Sequence, residues 1–141
     1  MILVVDASVA LKWFLHVHDR EPDGERALAI LAHVDDESIE LVQPAHFVAE
    51  VAAVLAREKP NTAEDDLLDL LHIERSTIDT PQTYARALEL SMRYEHHLFD
   101  TLYHAAALQI PGAKLVTADR RYFDKASGEG QIVLLANWSS E

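Results

Sequence analysis

The run Ile2-Leu-Val-Val5, closed by Asp6, constrains the fold more than any other part of the sequence. Four apolar, mostly β-branched residues in a row lack the alternation of a strand with one wet face. They read as a strand buried on both sides, the kind found in parallel sheets covered by helices. A parallel neighbour is reached only through a crossover of a dozen or more residues, normally helical. The rest of the chain supplies such segments. After Asp6, the residues Val9, Ala10, Trp13, Phe14 and Val17 recur at helical spacing.

The alternation continues to the end. Residues 24–34 form a helical stretch with Ala27, Leu28 and Leu31 expected inward, and residues 39–42 a second strand closed by Pro44. Residues 46–58 carry Phe47, Val51, Val54 and Leu55 on one stripe. Asn61-Thr62 opens another helix, with Asp65 completing a near capping box. A weak strand is expected at 76–79. Thr80-Pro81 is an N-cap with proline at the first helical position, followed by a stripe of Tyr84, Ala87, Leu88 and Ser91. A helix at 98–109 is stopped by Pro111-Gly112, and 114–117 and 131–135 are strand-like. The only long break in periodicity is a loop around 19–24. The pattern predicts one α/β domain over residues 1–141, with a mostly parallel sheet covered on both faces.

Composition excludes several classes of chemistry. The chain has 141 residues, enough to bury roughly two-thirds of its unfolded surface. It has no cysteine, which rules out disulfides, a cysteine zinc site and a thiol nucleophile. Four glycines, none in a phosphate-cradling loop, argue against a nucleotide-binding fold. No targeting segment and no apolar stretch of about 20 residues is visible, so a cytoplasmic location is expected. The net charge of −12 sits badly with a nucleic-acid partner unless divalent metal and a local basic patch neutralise phosphate.

Four carboxylates ask for a common explanation. Asp6 ends the first strand and Asp119 follows the strand at 114–117, so topology sets both at the edge where open sheets bind ligands. Taken singly, each serves equally well as a helix N-cap. Glu50 falls at the margin of an apolar stripe, and Asp100 stands among Leu98, Phe99, Leu102 and Tyr103. Carboxylates gathered in one place repel, so some take up protons or a cation sits between them. Hard divalent ions, Mg2+ or Mn2+, are the natural guests. Such a site activates water against a phosphodiester.

Four segments then fall in a familiar order. Val4-Val-Asp-Ala-Ser-Val-Ala10, Pro44-Ala-His-Phe-Val-Ala-Glu-Val51, Phe99-Asp-Thr-Leu-Tyr-His-Ala-Ala106 and Leu115-Val-Thr-Ala-Asp-Arg-Arg-Tyr-Phe123 resemble the motifs of the PIN-domain family, in particular its toxin-like (VapC-like) members. The resemblance runs from residue 1 to about 135. It implies a three-layer sandwich around a five-stranded parallel sheet. It also implies a metal-dependent endoribonuclease in which Asp6, Glu50, Asp100 and Asp119 hold one or two Mg2+ or Mn2+ ions. Cleavage would leave a 5′-phosphate and a 3′-hydroxyl. Ser8 and Thr117 would support the site. A homodimer and a small antitoxin whose tail blocks the site would be the protein partners. His104 departs from the aliphatic residue usual after the tyrosine.

Weaker signals complete the reading. His16-x-His18, His96-His97 and the face shared by His97, Asp100 and His104 offer a zinc alternative, and His97 or His104 a contact to substrate or to Asp100. Arg120 and Arg121, beside Asp119, are candidates for RNA phosphate contacts, although a solvated turn explains them as well. Glu64, Asp65, Asp66 and Asp69 are expected on an exposed helix face. Trp13 and Phe14 are expected in the core. Haloacid-dehalogenase-like phosphatases want an aspartate where Ser8 stands, and receiver domains want acidic residues earlier. A PIN-like module that binds RNA or protein without cutting remains the alternative, separated from the enzyme by metal binding and RNA cleavage.

Overall fold

The computed structural model describes residues 1–15 and 23–140 of the chain. Strand β1 (Ile2–Val5) leads through Asp6 into the short helix α1 (Ala7–Ala10) and a 3-10 turn at Leu11–Trp13. Helix α2 (Gly24–Asp35), β2 (Glu40–Pro44), α3 (Phe47–Glu58), α4 (Ala63–His72) and β3 (Ser76–Ile78) follow. The second half contains α5 (Pro81–Tyr94), α6 (Leu98–Leu108), β4 (Lys114–Thr117), α7 (Arg120–Ala126) and β5 (Ile132–Leu134).

All strand pairings are parallel, in the order β3-β2-β1-β4-β5. This five-stranded parallel sheet with intervening helices is the α/β, PIN-like architecture that the alternation and the motifs predict. β1 is central, and Leu3, Val4 and Val5 are wholly buried, as a run without alternation requires. Chain order runs outward from β1 to β2 and β3 on one side and to β4 and β5 on the other. The switch point therefore lies between β1 and β4, and a crevice opens there beyond their carboxyl ends.

On the other side of β1, a side chain bridges to β2. β1 and β2 pair through Ile2–Glu40 and Leu3–Leu41. Beyond them Gln43, 1% exposed, reaches across to Val5. Its amide nitrogen donates to Val5 O at 2.7 Å and its oxygen accepts from Val5 N at 2.8 Å. The ladder is completed by a side chain, so the strands separate by its length just before Asp6.

Helices α5 and α6 pack as a hairpin around Ala87, Leu90, Leu102 and Ala105. The Thr101 hydroxyl donates to Ala87 O at 2.8 Å. Glu129, in the 3-10 turn after α7, joins α5 to that turn. It accepts from Arg86 and Arg93, each at 2.7 Å, and from the Tyr94 hydroxyl. Those donors hold its carboxyl low, at about 2.

Several local expectations change. The inward stripe of α2 is Ala27, Ile30 and Val34, and Leu28 is exposed, because the helix presents a face rotated by one position. On α5 the inward set is Thr83, Ala87 and Leu90, leaving Tyr84 and Leu88 in solvent. The small residues turn inward because α6 lies close. Thr62 precedes α4 without capping it, its hydroxyl donating at 3.3 Å to Asp66 in place of a capping box. Asp66 also pairs with Lys59 at 2.9 Å, so only Glu64, Asp65 and Asp69 form the exposed acidic face. The first helix passes into a 3-10 turn at Leu11, and Val17 and most of the 19–24 loop lie outside the described residues. Trp13 and Phe14 are core, with the Trp13 indole donating to Ala27 O at 2.8 Å.

Candidate functional site

Asp6 sits where β1 ends and α1 begins. Its side chain caps α1, accepting from Val9 N at 3.3 Å. The Ser8 hydroxyl donates to one carboxylate oxygen and the Thr117 hydroxyl, from the end of β4, to the other. Those hydroxyls are themselves fixed. Ser8 Oγ accepts from Ala118 N at 3.1 Å and Thr117 Oγ1 from Asp119 N at 3.0 Å. Burial nevertheless pushes the Asp6 carboxyl up to about 6, against the three hydrogen bonds, and the nearby Asp100 adds to the rise.

Glu50 projects from the first turn of α3. The buried Tyr103 hydroxyl donates to its Oε1 at 2.9 Å. Burial raises the Glu50 carboxyl, Tyr103 opposes this, and Asp100 raises it again. His46 covers Glu50 from the residue before α3. Its Nε2 lies 2.8 Å from Phe99 O and 4.0 Å from Glu50 Oε2, and its ring packs 4.6 Å from that of Tyr103. Because Nε2 must donate to the carbonyl, Nδ1 is left a buried acceptor without a partner.

Asp100 lies in the first turn of α6, after the helix has begun at Leu98. Asp119 caps α7, accepting from Tyr122 N at 3.1 Å. His96 stands between them, with Nε2 3.0 Å from Asp100 Oδ2 and 3.9 Å from Asp119 Oδ2. Lys125 Nζ lies 3.3 Å from the other ring nitrogen. One donor atom from each of His96, Asp100 and Asp119 falls within 4.8 Å of the others, close enough to share an ion.

Of the four carboxylates named from sequence, Asp6 and Asp119 follow the ends of β1 and β4, and Glu50 and Asp100 lie in the first turns of α3 and α6. Asp100 acts electrostatically on both Asp6 and Glu50, and His96 joins Asp100 to Asp119. The N-cap explanation is also correct for Asp6 and Asp119, since one oxygen can cap a helix while the carboxylate faces the crevice. Ser8 and Thr117 lie where the motifs place them. Arg120 and Arg121 are exposed at the start of α7.

The histidine expectations divide: His96 of the His96-His97 pair lies at the site, and His104 does not. His97, exposed, caps α6 by accepting from Phe99 N at 3.1 Å. His104 is completely buried, with Nδ1 2.8 Å from the Tyr122 hydroxyl and Nε2 2.8 Å from Gly130 O. It serves packing, and the face shared by His97, Asp100 and His104 makes no zinc site. His16 and His18 lie outside the described residues. His96 is the neighbour of Asp100 that spacing alone underrates. Its i, i+4 relation to Asp100 was available, but it precedes α6, so no helical periodicity applies to it.

Half-buried and mutually repelling carboxylates fit a divalent cation. Asp6 and Glu50 are both raised by burial, so each holds its charge at a cost that a cation would relieve. The oxygen-rich donor set suits Mg2+ or Mn2+.

The model of the PIN domain family matches residues 3–129. No protein of curated function matches the chain in sequence. Among solved structures, the chain is similar to the VapC20 toxin of Mycobacterium tuberculosis, described as cleaving the sarcin-ricin loop. The identity is 17% and the TM-score 0.64, over 93% of this chain and 96% of that one. It is also similar to a chain of VapBC2 from Rickettsia felis, bound to a DNA fragment from its promoter. There the identity is 17% and the TM-score 0.62, over 95% and 97% of the two chains.

Proposed function

The chain belongs to the PIN domain family, and from that premise we propose that it is a metal-dependent endoribonuclease, the toxin of a toxin–antitoxin pair. The observation that carries the reading is Asp6. A half-buried carboxylate at the switch point, fixed by Ser8 and Thr117 and raised to about 6 by the loss of water around it, is costly to keep unless it serves a cation.

Asp6, Glu50, Asp100 and Asp119 would hold one or two Mg2+ or Mn2+ ions. Bound there, the metal would activate water and neutralise a phosphodiester. The chain's own groups orient the ligands. Ser8 and Thr117 fix both Asp6 oxygens, Tyr103 fixes Glu50, and the turn of α7 fixes Asp119. Arg120 and Arg121 would meet RNA phosphates at the rim. With a net charge of −12, affinity for RNA away from that rim is expected to be weak and strongly salt-dependent.

The partner reading follows the two structural neighbours, one a toxin and the other a VapBC assembly. A small antitoxin closing the site, a homodimer and a cytoplasmic location are proposed on the same footing. Among the described residues, no helix is long and apolar enough to cross a membrane.

The test is cleavage of a structured RNA pool by wild type and Asp6→Asn in Mn2+, Mg2+ or EDTA. Metal-dependent cutting that falls at least about a hundredfold in the variant is expected, since a lost metal ligand removes several kcal/mol of transition-state stabilisation. Folded, antitoxin-free wild type that cuts nothing with any metal would favour the non-cutting module.

A further inference from the structure

His96 owes its position to the end of helix α5. Glu95 there takes a left-handed conformation, with φ 49° and ψ 51°, which a residue other than glycine adopts at a cost. The Glu95 and His96 amides both turn back to Ser91 O, the latter at 3.1 Å. The Ser91 hydroxyl then donates to His96 O at 2.6 Å. The imidazole packs on the Tyr122 ring at 4.8 Å and is only 10% exposed. A strained cap, two backbone anchors and an aromatic wall thus hold one ring nitrogen against two carboxylates.

The distances suit ligation. An octahedral ion with metal–ligand bonds of about 2.1 Å sets adjacent donors about 3.0 Å apart and opposite ones about 4.2 Å apart. The Nε2 separations, 3.0 Å to Asp100 and 3.9 Å to Asp119, fall in that range. We propose that His96 is a nitrogen ligand of the metal centre beside Asp100 and Asp119, and that the centre favours a first-row transition ion over magnesium. The inference rests on the metal-dependent reading above. Imidazole is a good ligand for the later first-row ions and a poor one for magnesium, which keeps to oxygen.

Lys125 fits this arrangement. Its ammonium can only donate, so in the metal-free chain Nδ1 accepts and Nε2–H points at the carboxylates. Ligation moves the ring proton from Nε2 to Nδ1 and displaces the ammonium. Lys125→Ala should therefore retain or tighten metal binding.

The experiment is isothermal titration of the full chain with Co2+, Mn2+ and Mg2+, together with pulsed electron paramagnetic resonance of the Mn2+ form. His96→Ala and His96→Gln are compared, with circular dichroism to verify the fold. Gln keeps an amide donor for Asp100 but offers no imidazole nitrogen. Wild type should bind Co2+ at least tenfold tighter than Mg2+ and show nitrogen hyperfine coupling to Mn2+. Both variants should lose tenfold or more in Co2+ affinity, change little towards Mg2+ and lose the coupling. Wild-type Co2+ affinity in folded His96→Gln, or no nitrogen coupling in wild type, overturns the ligand. If His96-dependent binding is found but RNA is never cut, the nuclease reading falls and the ligand stands. If RNA is cut with metal while His96→Gln binds Co2+ normally, the reverse holds.

Discussion

Gln43 and Val5 are joined by two hydrogen bonds, 2.7 and 2.8 Å long, in which a side-chain amide takes the place of a strand's backbone. Both residues are buried, and the next residue along β1 is Asp6. The amide has the one donor and one acceptor that Val5 requires, and no other uncharged side chain of that length offers both.

Gln43→Leu should therefore leave the Val5 N–H and C=O unpaired in the core. Two buried, unsatisfied backbone groups cost about 2–4 kcal/mol together. Gln43→Glu keeps an acceptor but sets a carboxylate oxygen against Val5 O, so it should be no better. Urea unfolding measures the loss, and RNA cleavage per folded molecule should fall as well, since Asp6 loses its anchor. A Gln43→Leu protein of wild-type stability and activity would show that the side-chain bridge is incidental.

Asp6 makes the metal-free protein sensitive to pH. Its carboxyl stands at about 6, against 3.8 in an unperturbed chain. The folded state holds this proton more tightly than the unfolded state, so the contribution of Asp6 to stability falls as pH rises from about 4 to 6. Above that window the full penalty stands, roughly 3 kcal/mol at most. Asp6→Asn keeps a good N-cap and removes the charge. In EDTA it should unfold at higher urea than wild type at pH 7.5, and the two should converge below pH 4. Saturating Mn2+ should stabilise wild type by mass action and leave the variant nearly unchanged. Equal stability at pH 7.5 would contradict a destabilising charge at Asp6.

The parts of this molecule that were legible in sequence are those set by strong local rules. Ile2–Val5 admits little but a doubly buried strand, and Thr80-Pro81 marks a helix start that the Thr80 hydroxyl does make, accepting from Thr83 N at 3.2 Å. Asp6 and Asp119 follow from topology, because residues just past parallel strands gather at one edge. What was not legible depends on neighbours distant in sequence. Leu28, Tyr84 and Leu88 fit apolar stripes, yet each stripe turned by about one position when the partner helix docked. Gln43 reads as a polar interruption of a strand until Val5 is placed beside it. His96 sits in a connection with no periodicity, and its relation to Asp119 spans helix α6 and strand β4.

His104 illustrates the same limit and leads to the last prediction. An imidazole amid Ala105, Ala106 and Ala107 invites a functional reading, but its two nitrogens satisfy the Tyr122 hydroxyl and Gly130 O. Nε2 must donate to the carbonyl, so Nδ1 accepts from the tyrosine and the ring is neutral. Gly130, at φ 82° and ψ 179°, has a backbone conformation open essentially to glycine alone, and it carries the carbonyl that His104 bonds. Burial lowers the His104 pKa below 6.5. The folded state thus binds this proton less readily than the unfolded state, so its contribution is complete above pH 6.5 and is lost as pH falls below that value. His104→Leu leaves a hydroxyl and a carbonyl unpaired, which should cost about 2–4 kcal/mol at pH 7.5. The cost should shrink at pH 5, where wild type has begun to lose its own advantage. Metal affinity per folded molecule should be unchanged, in contrast to the His96 variants. A His104→Leu protein that keeps its stability but loses metal would place this histidine at the metal centre and not in the core.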